Sequence, residues 1–336
     1  MSVFDAVILG IVEGITEYLP VSSTGHLILT AWLLGLDRDP ATKQAVDAFN
    51  IIIQGGAILA VLGLYRVRVL SMLRGLVGKD PAGLRLFLNL FVAFLPAAIL
   101  GVLFDDLIEA HLFRPVPVLA ALGLGGVLLI VIGPWLRKAR HEDADADAAM
   151  SGAGEGGDGG KTVDPAQDRR SIESMTIGRS LVVGFLQPIA MWPGTSRSMM
   201  TIVGGMVTGL RPKDAAEFSF LLGLPTLGGA CVYKAAKSIA RHEQGATGFI
   251  EDLGGVAPVV VGIAVATLSA AIAVKWLVGY LTKHGMALFG WWRIALCVVM
   301  AIGVWQGWVS FDGPEVEAGA GAGEGESATA ALSEAR

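Results

Sequence analysis

The chain alternates between long apolar runs and short polar connections, and the length of the runs predicts helices that cross a membrane. Four runs contain no Asp, Glu, Lys or Arg: 86–104, 115–136, 253–274 and 294–311. Each is close to the roughly 20 residues with which a helix spans the hydrocarbon core of a bilayer. With two shorter uncharged runs, they predict six transmembrane helices at about 46–66, 85–105, 115–136, 214–236, 254–279 and 288–309.

Two further apolar segments, 3–30 and 178–209, are interrupted by polar strings. Pro20 and Pro193 lie inside these strings, and Gly, Ser and Thr residues follow each of them. Proline and glycine break a helix, and the freed backbone groups must be buried in protein or line a water-filled cavity. We therefore predict two re-entrant segments of the form helix–break–helix, each entering and leaving the membrane on one side.

The two broken segments belong to a weak internal repeat. The first copy has Gly10, Glu13, Tyr18, Pro20 and Ser22, and the second has, in the same order, Gly184, Gln187, Trp192, Pro193 and Ser196. Loops rich in Lys and Arg tend to face the cytoplasm. This bias places the loops 66–85 and 137–177 inside, and the loop 106–114 and both termini outside. The two copies then start on opposite sides of the membrane.

The pattern as a whole predicts one integral membrane domain over residues 1–310. Its fold class is an all-α polytopic membrane protein, with six transmembrane helices plus two re-entrant broken-helix segments in an inverted repeat. The first copy of the repeat covers about 1–136 and the second about 178–310. Composition agrees, since 53% of the residues are hydrophobic and only 16% are charged, against about 25% charged in a soluble domain.

The net charge of −5 gives little information about partners, because much of the acidity lies in two low-complexity segments. Residues 141–173 and 312–336 are rich in Gly, Ala, Asp and Glu, and we predict a disordered cytoplasmic loop and a disordered acidic tail. No basic patch suggests a nucleic acid partner. Cys231 and Cys297 lie in apolar runs and are expected to be small buried hydrophobic residues.

The first polar string carries two carboxylates and a histidine. Glu13 and Glu17 are four residues apart and share one helix face. Two carboxylates so close in a low-dielectric site favour a bound divalent cation, or one of them stays protonated. A plainer interpretation is a pair hydrogen-bonded to hydroxyls such as that of Thr16. His26 follows the break beside Ser22 and Ser23, where it could carry a proton or act as a nucleophile.

The second polar string has the composition of an anion site. The Arg197 guanidinium offers a bidentate fork, and Pro193–Gly194 opens the backbone just before a new helix. Additional donors are available from Ser196, Ser198 and Thr201. The alternative is a helix interface rich in Ser and Thr, with Arg197 extending to the membrane surface.

The two strings together resemble a known family. Glu13-Gly14-x-Thr16-Glu17-Tyr18-Leu19-Pro20-Val21-Ser22-Ser23-Thr24-Gly25-His26 and Pro193-Gly194-x-Ser196-Arg197-Ser198-x-x-Thr201 are similar to the motifs of the undecaprenyl-diphosphate phosphatases, the bacitracin-resistance integral membrane phosphatases. The resemblance covers about 1–140 and 175–310. The family usually has a short loop where this chain carries the 141–173 segment.

This resemblance implies an activity, a location and a set of site residues. The expected reaction is hydrolysis of undecaprenyl diphosphate to undecaprenyl phosphate on the outer face of the bacterial cytoplasmic membrane. The reaction recycles the lipid carrier of peptidoglycan synthesis and confers bacitracin resistance. The resemblance assigns a cofactor, Mg²⁺ or Ca²⁺, to Glu13 and Glu17. It places catalysis on Glu17, Ser23, His26 and Arg197, and phosphate binding on Ser22, Gly194, Ser196, Arg197, Ser198 and Thr201.

Several alternatives stay open at this point. The nucleophile is Ser23 with His26 as its base, His26 itself, or a metal-bound water. The competing function is a polyprenyl-phosphate transporter that uses the same anion site, because broken helices and inverted repeats are also typical of transporters. The expected partners are the lipid substrate and membrane lipid, and a homodimer is allowed for.

Overall fold

In the computed structural model, residues 1–38, 40–152, 170–241, 251 and 253–307 are described, and all regular elements among them are helical. The first half of the chain forms α1 (Val3–Thr16), α2 (Ser23–Leu33), α3 (Pro40–Leu64), α4 (Arg66–Leu76), α5 (Pro81–Leu112) and α6 (Pro115–Gly152). The second half forms α7 (Ile177–Leu186), α8 (Arg197–Val207), α9 (Pro212–Arg241), α10 (Val256–Lys283) and α11 (Ala287–Trp305). Short 3₁₀ turns occupy Ile172–Ser174 and Gln187–Met191.

Six of these helices are long and apolar enough to cross a membrane, which confirms the predicted number of spans. The spans are Thr42–Leu64, Pro81–Phe104, Pro115–Pro134, Pro212–Tyr233, Val256–Lys283 and Ala287–Trp305. Their buried share runs from 28% to 56%, so much of each apolar surface faces outward. Large apolar side chains such as Phe91, Val102 and Leu268 are exposed there, as a lipid environment requires.

Both polar strings break their helices, as predicted. The first helix ends at Thr16 and α2 begins at Ser23, and between α7 and α8 the chain forms a 3₁₀ turn followed by an irregular stretch. The residue before each new helix, Ser22 or Ser196, has a positive φ, 71° and 77° respectively. They are the non-glycine residues of the described chain with positive φ, a conformation that few side chains tolerate. That each segment enters and leaves on one side of the membrane stays a prediction.

The packing of the helices follows the repeat. Helix α1 packs against α10 while its counterpart α7 packs against α5, and α3 packs against α10 while α9 packs against α5. Two further pairs join counterparts directly, α3 with α9 and α6 with α11. Exchanging the two halves reproduces these contacts, which is the behaviour expected of two copies related by a two-fold axis.

Glycines allow the closest of these approaches. A Cβ atom added at Gly10 would lie 2.8 Å from the carbonyl oxygen of Gly262 on α10. A Cβ at Gly184 would likewise lie 2.7 Å from the carbonyl oxygen of Ala93 on α5. The equivalent glycines of the two copies thus both allow close packing of two helices, and neither position has room for a side chain.

An ion pair at the surface also ties the halves together. Arg68 on α4 donates to Glu173 and Glu217 of the second half, both at 2.9 Å. About a third of the Arg68 side chain is exposed, so this contact contributes little stability. Asp80, which caps α5, accepts a hydrogen bond from the hydroxyl of Ser71 on α4, and this bond lowers the pKa of the Asp80 carboxyl.

The structure has helical elements at both ends of the segment 141–173, where the sequence predicted a disordered loop. Its first part continues α6 as far as Gly152, and residues 172–174 form a 3₁₀ turn with Ile172 buried. The alanines of 141–152 favour a helix. The remainder, 153–169, and the predicted acidic tail, 312–336, lie outside the described residues.

Substituting the packed glycines tests this account of the helix contacts. We expect Gly10→Ala and Gly184→Ala each to destabilise the protein by about 1–3 kcal/mol, because a methyl group would push against a backbone carbonyl. The midpoint of thermal unfolding in detergent measures the effect.

Gly63→Ala and Gly228→Ala provide matched controls, since a Cβ at either of these helical positions meets nothing within 4 Å. There the substitution removes only the flexibility of a helical glycine, so stability should stay the same or rise. Equal losses at all four positions would contradict the packing role assigned to Gly10 and Gly184.

Candidate active site

A buried ion pair joins the two broken segments. Nη2 of Arg197, the first residue of α8, lies 3.1 Å from Oε1 of Glu17, directly after α1. The two side chains are 10% and 5% exposed. Two such charges persist away from water only when each neutralises the other and the remaining polar atoms find partners. The pair therefore fixes one repeat relative to the other at the point where both helices are interrupted.

The surroundings of Arg197 hold its guanidinium in place. Nη1 donates to the carbonyl oxygen of Ser219 on α9 at 3.0 Å, and Cζ lies 5.5 Å from the centre of the Tyr18 ring. The Tyr18 hydroxyl in turn donates to the carbonyl of Ala57 on α3. A Cβ at position 223 would come within 3.0 Å of the guanidinium nitrogens, so the glycine there leaves space for the side chain. Arg197 is thus enclosed by protein and does not extend along the protein surface.

The Ser23 hydroxyl contacts the second oxygen of the Glu17 carboxylate, the one that does not face Arg197. This hydroxyl donates to Oε2 of Glu17 at 2.8 Å, and the amide nitrogen of Gln54 makes a longer contact of 3.5 Å with the same oxygen. Ser23 is the first residue of α2, so the unusual backbone of Ser22 sets its position. Glu17 therefore contacts a possible nucleophile, Ser23, through Oε2 and the guanidinium of Arg197 through Oε1.

His26 lies in the same segment but faces elsewhere. Its Nδ1 is 2.8 Å from the carbonyl oxygen of Ser22, and Nε2 is 2.9 Å from the indole nitrogen of Trp292 on α11. Both ring nitrogens are engaged by these two partners. The structure therefore does not bring His26 and the Ser23 hydroxyl into hydrogen-bond contact.

Glu13 is the most enclosed carboxylate of the site. It is 1% exposed, and its Oε1 has no hydrogen-bond partner within the described chain. An orphaned carboxylate oxygen at this depth is costly unless it binds a cation or a proton. No cluster of three or more His, Cys, Asp or Glu side chains suited to a metal occurs among the described residues. Magnesium, however, is usually held by one or two carboxylates plus substrate phosphates, so Glu13 and Glu17 fit a cation that the substrate helps to bind.

The hydroxyls of the second string are engaged by protein groups. Ser198 donates to the carbonyl of Leu19 at 2.9 Å, which is a further link between the breaks, and its Oγ is 3.1 Å from that of Ser196. The hydroxyl of Thr201 lies 2.6 Å from that of Ser219. The predicted phosphate-binding hydroxyls thus connect α8 to the first break and to α9. The backbone of Gly194 has φ 97°, and its carbonyl oxygen accepts a hydrogen bond from Arg293.

Arg293 on α11 is a site residue that the motifs did not identify. It is fully buried and donates to four backbone carbonyls, those of Ala121, Leu122, Gly194 and Thr195, at 2.7–3.4 Å. Its guanidinium therefore joins α6 and α11 to the second break. The available signal was a single arginine inside the predicted span 288–309, since an ionisable residue within a span is by itself a candidate for function.

The chain is similar to proteins of one kind along most of its length. The sequence profile of the family described as "Bacitracin resistance protein BacA" matches residues 6–299. The "Undecaprenyl-diphosphatase" of Sorangium cellulosum is 44% identical over 293 residues, which cover 87% of this chain and 83% of that protein. The "Undecaprenyl-diphosphatase 2" of Rhodospirillum rubrum is 40% identical over 91% of this chain and 97% of its own length. An "Undecaprenyl-diphosphatase" of Methylibium petroleiphilum is also 40% identical, over 91% and 96%.

Substitution of Arg293 tests its role in holding the second break. Arg293→Met removes the guanidinium donors that reach four backbone carbonyls and should destabilise the protein by roughly 3 kcal/mol. Arg293→Lys keeps the charge but cannot reach carbonyls on two separate elements with one ammonium group, so its stability should be intermediate. Thermal unfolding in detergent gives the comparison.

The control is Arg114→Met, which removes an exposed arginine bound to one carbonyl. Its stability should stay within about 0.5 kcal/mol of the unmodified protein. An Arg293→Met variant that unfolds at the normal temperature would show that the four contacts do not hold the break.

Proposed function

Because the chain belongs to the bacitracin resistance protein BacA family, we propose that it hydrolyses undecaprenyl diphosphate to undecaprenyl phosphate and inorganic phosphate. It is a multi-pass membrane phosphatase, and the resemblance drawn from its two motifs is confirmed. The observation that carries the proposal at the level of residues is Glu17, which contacts Ser23 through one oxygen and Arg197 through the other.

We place the reaction on the outer face of the bacterial cytoplasmic membrane. The support for this orientation is the excess of Lys and Arg in the loops 66–85 and 137–177, which favours a cytoplasmic location for both. Hydrolysis there returns the lipid carrier to cell-wall synthesis. It also lowers the amount of the diphosphate that bacitracin binds, which accounts for resistance.

The electrostatics of the site suit a diphosphate. Phosphoryl transfer depends mainly on positioning and on neutralising the negative charge of the transferred group. Arg197 provides a guanidinium at a buried position, where its interaction with an anion is stronger than in water. Its Nε atom is buried and has no hydrogen-bond partner in the described chain, so one donor remains for a phosphate oxygen.

We infer that Ser23 attacks the terminal phosphorus and that Glu17 accepts its proton. The bond from Ser23 Oγ to phosphorus forms while the bond from phosphorus to the bridging oxygen breaks, and undecaprenyl phosphate leaves. Water then attacks the phosphoserine, which releases inorganic phosphate and restores the hydroxyl. The 2.8 Å contact between Ser23 and Glu17 supports this assignment over His26 as the base. Attack by His26 or by water remains an alternative that experiment can separate.

We assign the divalent cation to Glu13 and Glu17. The unpartnered oxygen of Glu13 supports this assignment. A bound Mg²⁺ or Ca²⁺ would neutralise phosphate charge and lower the electrostatic barrier to an approaching nucleophile. Independently of the cation, Glu17 holds the Ser23 hydroxyl and Arg197 draws the substrate anion to it.

A transporter remains the second candidate, because the repeat and its broken helices suit both functions. Translocation requires an anion site but has no use for a hydroxyl held against a carboxylate. The Ser23–Glu17 contact therefore favours hydrolysis.

The deciding experiment is phosphate release from a polyprenyl diphosphate by the purified full-length chain in detergent. We expect turnover that a chelator abolishes and that added Mg²⁺ or Ca²⁺ restores. Glu13→Gln should lose most of the cation-dependent activity, and Glu173→Gln, a carboxylate near the surface, should keep it. Lipid flipping in vesicles without phosphate release would support the transporter, and chelator-resistant turnover would remove the cation from the proposal.

A separate prediction concerns the nucleophile. If Ser23 attacks and Glu17 takes its proton, Ser23→Ala and Glu17→Gln should each remove most turnover, and the double variant should be hardly slower, because residues that act as a unit are non-additive. Acid quenching followed by mass spectrometry should find phosphate on Ser23. If Ser23→Ala retains a tenth or more of normal turnover, the serine only positions the substrate. A tenfold loss of rate equals about 1.4 kcal/mol, the value of one hydrogen bond.

A further inference from the structure

The contact between His26 and Trp292 joins the first break to the last helix. The indole nitrogen and Nε2 are 2.9 Å apart, the two ring planes are parallel to within 2°, and the ring centres are 6.2 Å apart. The N–H bond of an indole and the lone pair of an imidazole nitrogen both lie in the planes of their rings. Parallel planes at this separation therefore fit a well-directed hydrogen bond between ring edges.

The chemistry of the two rings fixes the position of every proton in this contact. An indole nitrogen can only donate, so Nε2 of His26 must be the acceptor and carries no proton. The remaining proton of a neutral imidazole is then on Nδ1, where it is donated to the carbonyl oxygen of Ser22 at 2.8 Å. A doubly protonated ring could not accept from Trp292. The geometry thus selects one tautomer of the neutral histidine.

Trp292 is 56% exposed, but the helix that carries it is attached to both breaks. The next residue on α11 is Arg293, whose bonds to Gly194 and Thr195 attach the helix to the second break. On the other side, Leu296 of α11 lies in van der Waals range of a Cβ built at Gly25, the neighbour of His26. The indole therefore reaches the imidazole from a helix that contacts both broken segments.

We propose that Trp292 is a positioning residue of the reaction, which holds His26 neutral, in a single tautomer and with its Nε2 lone pair covered. The inference rests on the proposed function, in which Ser23 attacks and Glu17 rather than His26 takes its proton; His26 lies in the first turn of the helix that begins at Ser23. It assigns a role to a residue outside both motifs. It also explains why the Ser23 hydroxyl turns to Glu17: while Trp292 occupies Nε2, His26 has no free nitrogen with which to accept a proton.

The test compares two adjacent tryptophans. Trp292→Phe removes the N–H donor and keeps an aromatic ring, and Trp291→Phe makes the same change at the neighbouring residue, which is 63% exposed. The probe is diethyl pyrocarbonate, which modifies unprotonated imidazole nitrogens, with modification at His26 quantified by mass spectrometry. We expect His26 to react at least fivefold faster in Trp292→Phe than in the unmodified protein, and Trp291→Phe to leave the rate unchanged.

Kinetics on the same proteins provide the second readout. In Trp292→Phe we expect kcat to fall about tenfold with KM changed less than twofold, since the substrate's own contacts are intact and the lost hydrogen bond holds the first turn of α2, which carries Ser23. Trp291→Phe should have normal kcat and KM. Equal effects of the two substitutions, or a fall in kcat without faster modification of His26, would overturn the proposal.

A measurement on the unmodified protein keeps the proposal falsifiable if Trp292→Phe does not fold. Nitrogen-15 spectra of the chain with labelled histidine should show His26 with its proton on Nδ1, and a major form protonated on Nε2 would overturn the inference. Absence of phosphate release by the unmodified chain would instead overturn the proposed function, and the modification rates would still report on the Trp292 contact. The two failures are therefore distinguishable.

Discussion

The architecture depends on one constraint, which is that a glutamate and an arginine buried between helices must neutralise each other. Glu17 and Arg197 are almost enclosed, and neither would be stable in that position alone. Each sits where an apolar segment stops being helical, so the pair requires both interruptions and also requires that they meet. The close packing of α1 against α10 and of α7 against α5, made possible by Gly10 and Gly184, brings the two interruptions to the same place.

The features that could be predicted from the sequence are those that depend on local physics. The spans follow from the length of apolar runs, and the breaks from Pro20 and Pro193, although the residues with positive φ are Ser22 and Ser196. The helix spacing of Glu13 and Glu17 suggested that they act as one pair. In the structure Glu17 is engaged by Ser23 and Arg197, whereas one oxygen of Glu13 has no partner.

The features that could not be predicted depend on which helices pack together. Nothing local to His26 indicates that its second nitrogen meets Trp292, which is 266 residues away. The same holds for the carbonyls of Gly194 and Thr195, whose donor, Arg293, lies almost 100 residues further along. A motif identifies groups that can perform chemistry, but the orientation of those groups is set by residues from other helices that have no pattern of their own.

The distance along the chain between the two charges of the central pair has a consequence for biosynthesis. Glu17 is made 180 residues before Arg197, so the ribosome delivers the acidic half of the site to the membrane while the basic half does not yet exist. A nascent chain that ends in α6 has the Ser23 hydroxyl and the carboxylates of Glu13 and Glu17 but lacks the Arg197 guanidinium that would bind a lipid phosphate. The site therefore cannot form while the first half is being made. It is complete only after α9 and α11 have followed α8, because these helices carry the partners of Arg197, His26 and the second break.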